Sequence, residues 1–171
     1  MSQILSRLDQ PAVRFIAVFF LLVIGLNFLI GLAWVDRNLL LPYTEWITAL
    51  SASALERMGY QIDQQGTVMR SSNFAVDIRR GCDGVVATIL LISACLAYPA
   101  GWRQRLLGTV MGYGLIFLLN LIRIWVLFAL GDRGAMDLFG FVHTYVAQFA
   151  VIALTMVFWI SWAARQRPLY Q

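Results

Sequence analysis

Four long apolar stretches constrain the fold more than any other feature of the sequence. They cover residues 15–35, 85–100, 106–131 and 139–164. A helix needs about 20 mostly apolar residues to cross a membrane, and blocks of this length are too long to bury within one small core. In a 171-residue chain that is 60% hydrophobic, they exclude a soluble enzyme and a disordered chain. The sequence therefore predicts an all-α polytopic membrane protein with four transmembrane helices, folded as a single membrane-embedded domain over residues 1–171.

The first stretch occupies the position of a secretory signal segment but is longer than one. Its apolar core of about 20 residues exceeds the 7–15 expected of a signal peptide, and no small-x-small motif precedes Asp36. We therefore expect it to be an uncleaved anchor.

The arginines indicate the orientation. All 13 basic residues are Arg; a net charge of +4, dispersed along the chain, predicts no nucleic-acid partner. With the N-terminus inside, segments 1–14, 101–105 and 164–171 share six arginines. The outer segments, about twice as long in total, also share six. This density favours both termini in the cytoplasm of an inner-membrane protein, with residues 36–84 outside.

The outer segment 36–84 has its own structure. Residues 39–58 predict an amphipathic helix in the membrane interface, with Pro42 near its start and Gly59 past its end. A shallow re-entrant helix is the alternative. Alternation in three short runs (60–62, 67–70 and 74–78), separated by segments with Gly or Ser, predicts a small β-meander.

Two polar residues lie where hydrocarbon disfavours them. Arg123 is about 12 Å below the outer end of the third stretch, which is too deep for ordinary snorkelling. Asn120 is on the same helix face and is positioned to orient the guanidinium. His143, the single histidine, is roughly 6–8 Å inside the fourth stretch. Each residue has a structural alternative, namely interhelical hydrogen bonding. Intramembrane ionisable residues nevertheless suggest function.

Cys82 lies where the last outer strand meets the second membrane helix, in the sequence Gly81-Cys82-Asp83-Gly84. A helix N-terminus favours a thiolate, a neighbouring Asp83 opposes it, and the flanking glycines let a substrate backbone approach. The alternative is a small apolar residue at a turn.

Cys95 serves as an internal control, because it lies about 19 Å further along the same helix. That separation excludes a disulfide with Cys82, and we expect Cys95 to be a core residue. One Cys and one His make a poor metal site, so neither a metal nor a cofactor is expected.

Cys82, Arg123 and His143 are predicted to meet at one level near the outer surface. A thiol, a guanidinium and an imidazole suit acyl transfer: Cys82 as the nucleophile, His143 as the proton shuttle, and Arg123 stabilising an oxyanion or holding a substrate carbonyl.

These motifs resemble the exosortase/archaeosortase family. The resemblance covers roughly residues 60–150 and rests on five segments: Gly66-Thr-Val-Met69, Phe74-Ala-Val-Asp-Ile78, Gly81-Cys-Asp-Gly84, Asn120-Leu-Ile-Arg123 and Phe141-Val-His143. It implies a cysteine transpeptidase or protease with Cys82, Arg123 and His143 as its catalytic residues. The length suggests a minimal form such as the exosortase H type. Many members read Cys-Ser-Gly and have additional spans, so Asp83 and the small number of spans are departures.

The resemblance also implies a partner. The substrate would be an exported protein whose C-terminal tail combines a short motif, an apolar helix and a basic cluster, and the cleaved protein would pass to an acceptor. Two other interpretations stay open from the residues alone: a non-enzymatic membrane scaffold held together by Arg123 and His143, and a small transporter subunit whose intramembrane Arg binds an anion.

Overall fold

The computed structural model describes residues 11–166, which are mostly helical. The remaining residues of the terminal segments used for orientation lie outside this range. The helices of the described chain are α1 Pro11–Gly31, α2 Ala33–Val35, α3 Leu41–Arg57, α4 Val85–Ala97, α5 Trp102–Asp132, α6 Met136–Phe141 and α7 Ala147–Ala164. Two π-helical segments, Asp36–Leu40 and Val142–Val146, join α2 to α3 and α6 to α7.

Three helical stretches among the described residues are long and apolar enough to cross a membrane: Pro11–Gly31, Trp102–Asp132 and Met136–Ala164. They match the first, third and fourth predicted spans with shifts of a few residues at their ends. The second predicted span forms an apolar helix of only 13 residues, Val85–Ala97. At 1.5 Å per residue it is about 20 Å long, less than the hydrocarbon core. The count of four spans therefore stays a prediction.

The helix predicted over residues 39–58 is present as α3, but it continues upstream rather than starting afresh. In the π-helical segment Asp36–Leu40 the N–H of Leu41 donates to the carbonyl of Asp36, five residues back. Pro42 has no N–H to donate, and its ring needs room beside the preceding turn. The wide turn supplies that room, so proline does not interrupt the helix.

The predicted meander is a three-stranded antiparallel sheet in the order β1-β2-β3, with β1 Asp63–Gln65, β2 Val68–Arg70 and β3 Ala75–Asp77. The first strand lies three residues later than the predicted run at 60–62. Gln65 pairs with Val68, so the hairpin turns tightly at Gly66, whose φ is +58°. A two-residue hairpin loop with a positive-φ glycine fixes this register.

One apolar cluster attaches the sheet to the helices. Met69 of β2 is completely buried against Ile47 and Leu55 of α3 and against Ile124 and Phe128 of α5. Burial of these side chains positions the end of β3, and with it the start of the Cys82 turn, beside the outer half of α5.

A second cluster packs α4 against α5 and α7, and glycines on α5 allow the close approach. A Cβ on Gly112 would collide with Leu91 of α4 and lie 2.9 Å from the Phe158 ring of α7. Cys95 is completely buried in this cluster, as predicted for a core residue.

We expect Gly112→Ala to destabilise the protein by about 1–3 kcal/mol, the usual cost of overpacking a close contact. Gly114→Ala is the matched control, because nothing lies within 4 Å of a Cβ there and alanine favours the helix. The measurement is thermal unfolding in detergent. Equal stability of the two variants would contradict the packing described here.

Candidate functional site

The turn that presents Cys82 joins the sheet to α4. The ladder continues past β3, because the N–H of Ile78 donates to the carbonyl of Thr67 at 2.9 Å. The chain then bends, and the N–H of Cys82 donates to the carbonyl of Arg79 at 2.9 Å. Gly81 and Gly84 have φ of +95° and +78°. Two left-handed residues around the cysteine fold the turn tightly and favour glycine at both positions.

Hydrogen bonds and ion pairs stabilise residues 77–80, which lead into the turn. Asp77 accepts hydrogen bonds from Thr67 Oγ1 at 2.7 Å and from Arg79 Nε at 2.6 Å. These contacts lower the pKa of Asp77 below its ordinary value, and the hydrogen bond from Thr67 has the largest effect. The ionised Asp77 carboxylate therefore stabilises the folded state at neutral pH, and this stabilisation is lost as the pH falls through the lowered pKa. Arg80 forms an ion pair with Asp36 at the end of α2.

Asp83 braces the turn from within. Its side chain is buried, and Oδ1 accepts hydrogen bonds from the N–H of Gly81 at 3.3 Å and from the N–H of Val85 at 3.1 Å. The carboxylate thus links both ends of the turn and satisfies one free N–H at the start of α4, where negative charge is favourable. The sequence suggested only its unfavourable effect on a thiolate; the bracing role depends on turn geometry that the sequence does not contain.

Arg123 of α5 contacts the turn directly. Its Nη1 donates to the carbonyl of Gly81 at 3.4 Å, and its Nη2 lies 3.9 Å from the sulfur of Cys82. The two residues are 41 positions apart, yet the guanidinium contacts the Cys82 sulfur and the carbonyl of its preceding residue. The predicted pairing of thiol and guanidinium is present in this structure.

Asn120 is buried one turn before Arg123, with its side chain against Gly84. The structure has no hydrogen bond between Asn120 and Arg123, and Asn120 Nδ2 has no partner among the described residues. The expected orienting contact is therefore absent from this structure.

His143 lies in the π-helical segment between α6 and α7, a distortion that frequently marks functional positions. Its ring stacks on Phe139 with 5.8 Å between centroids and an angle of 2° between planes. It is close enough to Arg123 for the two charges to interact. Within residues 11–166, Nδ1 is buried without a hydrogen-bond partner, and the ring makes no hydrogen bond to Cys82. Arg123 thus contacts Cys82 and acts electrostatically on His143, while no hydrogen bond joins Cys82 to His143.

Two cavities flank the turn. On one side, an apolar groove of about 430 Å³ runs between α1, α4, α5 and α7 from Gly81 and Arg123 to Trp159. On the other side, a cleft of about 590 Å³ lies among charged residues that include Asp36, Arg80 and Asp83. The turn is therefore the wall between an apolar groove and a polar cleft. Sequence reasoning missed the groove because four separate helices form it.

No cluster of three or more His, Cys, Asp or Glu side chains that would hold a metal occurs within residues 11–166. Cys82, Arg123 and His143 themselves define a candidate thiol site in a multi-pass membrane protein.

Comparison with known families assigns the chain to a class of proteins. The family model described as transmembrane exosortase matches residues 4–162, nearly the whole chain. The chain belongs to the transmembrane exosortase family, which confirms the resemblance found in the sequence. The family suggests a transpeptidase-type enzyme. No curated protein and no solved structure matches the chain.

The bracing role of Asp83 predicts a contrast between two substitutions. Asp83→Asn keeps Oδ1 as an acceptor and should retain near wild-type thermal stability. Asp83→Ala leaves the N–H of Gly81 and of Val85 unpaired and should cost about 1–2 kcal/mol, as the loss of a helix cap does. Thermal unfolding in detergent is the measurement. An alanine variant as stable as the asparagine variant would show that the brace is dispensable.

Proposed function

We propose that the protein is a membrane cysteine transpeptidase that cleaves C-terminal sorting signals of exported proteins and transfers the new carboxyl end to an acceptor. Family membership supports the class of enzyme. The observation that carries the assignment to particular residues is the guanidinium of Arg123, which contacts both the Cys82 sulfur and the carbonyl preceding it.

The chemistry follows from the three side chains. Cys82 Sγ attacks the scissile carbonyl carbon, forming a C–S bond, and the thiol proton passes to His143. As the peptide C–N bond breaks, His143 donates that proton to the leaving nitrogen. The acceptor nucleophile, or water, then attacks the thioester carbon and gives its proton to His143. The C–S bond breaks, and His143 returns the proton to the sulfur. His143 forms no hydrogen bond to the sulfur in this structure, so these transfers require the imidazole, which lies in a π-helical segment, to move to the sulfur.

In this proposal Arg123 stabilises negative charge on the sulfur. A guanidinium beside a cysteine favours the thiolate, and the hydrogen bond to Gly81 fixes the planar group relative to the turn. An isolated guanidinium in hydrocarbon is unfavourable, and these contacts provide it with acceptors.

We propose that α4 is the second of four spans despite its length. It packs against α1, α5 and α7 rather than facing lipid on all sides. Two of its last carbonyls also have donors, because the N–H of Tyr98 donates to Ala94 at 3.2 Å and Arg105 Nη1 donates to Leu96 at 2.9 Å. With the N-terminus inside, as the arginine distribution favours, the Cys82 turn faces the outer side of an inner membrane.

The partner proposed from the sequence fits the groove. An exported protein with a C-terminal motif, apolar helix and basic cluster would dock one face of its helix against the apolar walls. Because the groove ends at Gly81 and Arg123, the peptide preceding that helix would lie at the thiol.

Cys82→Ala should abolish processing and leave membrane insertion and thermal stability near wild type, because Cys82 is only partly buried. The assay uses an exported reporter with such a tail, whose new C-terminus in wild-type cells is defined by mass spectrometry. Cys95→Ala is the matched control: it should retain processing and lose about 1 kcal/mol to a small cavity. Full processing by Cys82→Ala would eliminate the nucleophile assignment.

Cys82 also reports the orientation of the protein in the membrane. A membrane-impermeant thiol reagent added outside intact cells should modify Cys82, leave buried Cys95 unmodified, and block processing. Modification of Cys82 only after the membrane is opened would place the site on the inner side.

Arg123→Lys keeps the charge but loses the planar donor pair. We expect processing to fall about tenfold to a hundredfold, equivalent to one charge-assisted hydrogen bond of about 1.5–3 kcal/mol, and Cys82 alkylation at neutral pH to slow. Arg123→Ala should be affected more strongly in both respects.

The control is Arg133→Lys, an exposed arginine directly after the same helix, which should match wild type. If Arg123 were a scaffold residue only, its variants would accumulate poorly in the membrane, and the remaining protein would be alkylated at the wild-type rate.

A further inference from the structure

The terminal nitrogens of Arg123 both face the Cys82 turn. Nη1 is engaged with the carbonyl of Gly81 and Nη2 with the sulfur. Acyl transfer also places negative charge on the carbonyl oxygen of the substrate, and that oxygen needs donors of its own. The contacts of Nη1 and Nη2 direct the guanidinium to the turn and the nucleophile, and Nε is buried without a partner within residues 11–166. Other donors that line the groove are therefore candidates for binding the substrate oxygen.

Free donors are present at the start of α4. Within the described chain, the backbone N–H groups of Asp83, Gly84, Val86 and Ala87 make no hydrogen bond. Those of Val86 and Ala87 belong to the first turn of the helix, where the macrodipole adds partial positive charge. Gly84, Val86 and Ala87 line the apolar groove.

Asn120 provides an independent observation at the same place. Its side chain is 3% exposed, and Nδ2 has no hydrogen-bond partner among residues 11–166. A buried amide without a partner is unfavourable unless a ligand supplies one. Asn120 also lines the groove, and a Cβ on Gly84 would lie 3.4 Å from its Cγ. The amide is thus packed directly against the turn that presents Cys82.

We propose that Asn120, together with the N–H groups at the start of α4, binds the oxyanion of the reaction, while Arg123 serves the thiolate. As the Sγ–C bond forms, the carbonyl π electrons move onto oxygen, and Asn120 Nδ2 donates to that oxygen. When the C–N bond breaks and the leaving nitrogen takes the proton, the carbonyl re-forms as a thioester. This proposal rests on the proposed function and assigns Asn120 as a further catalytic residue.

Asn120→Leu provides the sharpest test. Leucine has nearly the same size, and replacing an unpartnered buried amide by an apolar side chain is neutral or stabilising. We expect unchanged or higher thermal stability and a kcat for the tailed reporter reduced about 10²–10³-fold, as for loss of one oxyanion donor. KM and the pH profile of Cys82 alkylation should stay at wild-type values, because the nucleophile is untouched. Asn120→Ala should give the same kinetic result and serves as the second variant if leucine impairs accumulation.

Thr109→Val is the matched control. Thr109 is on the same helix, and its buried hydroxyl also has no partner among residues 11–166. It does not line the groove, so kcat should stay at the wild-type value.

Two results would overturn the assignment of Asn120: a kcat within about threefold of wild type, or a loss of kcat matched by an equal loss of Cys82 alkylation. Either result with an inactive Cys82→Ala would leave the proposed function standing. An active Cys82→Ala would reject both.

Discussion

A guanidinium inside an apolar helix bundle must find hydrogen-bond acceptors within the protein, and the turn around Cys82 provides them for Arg123. The contacts to Gly81 and to the sulfur connect α5 to the start of α4. The turn reaches this position because the sheet is anchored on α3 and α5 through buried Met69. The sheet, the buried contacts of Met69, and the hydrogen bonds of Asp77 and Asp83 therefore all help to position the Cys82 thiol beside the guanidinium of Arg123.

Much of this arrangement is contained in the sequence as local pattern. Apolar stretches gave the long helices to within a few residues, alternation indicated a sheet, and the depth of Arg123 marked the site because hydrocarbon makes such a position costly. The ends of elements were less accessible. The first strand formed later than predicted because the tight turn at Gly66 determines where pairing starts. The helix predicted to start at residue 39 instead continues from α2, because a π-helical segment joins the two.

Apart from the predicted pairing of Cys82 with Arg123, contacts between distant residues were not contained in the sequence. The spacing of Asn120 and Arg123 suggested that the two side chains interact, since positions three apart share a helix face. A shared face does not determine what each side chain meets, and here Asn120 packs against Gly84 while Arg123 reaches the turn. The groove depends likewise on α1 and α7 closing over α4. Such features follow from tertiary packing, and glycines such as Gly112 permit it by letting helices approach closely.

The unequal lengths of α4 and α5 explain the depth of the site. At 1.5 Å per residue, α5 with 31 residues extends about 46 Å, and α4 with 13 residues extends about 20 Å. Arg123 lies nine residues before the end of α5, or about 14 Å along its axis. An α4 with the 31 residues of α5 would carry its N-terminus to the end of α5, about 14 Å beyond this arginine. The short α4 starts where Gly84 packs against Asn120, and the turn that precedes it, with Gly81 and Cys82, meets Arg123 about one helical turn further along α5. The brevity of α4, which makes it a poor candidate span by length, is therefore what places the turn within reach of the intramembrane cation.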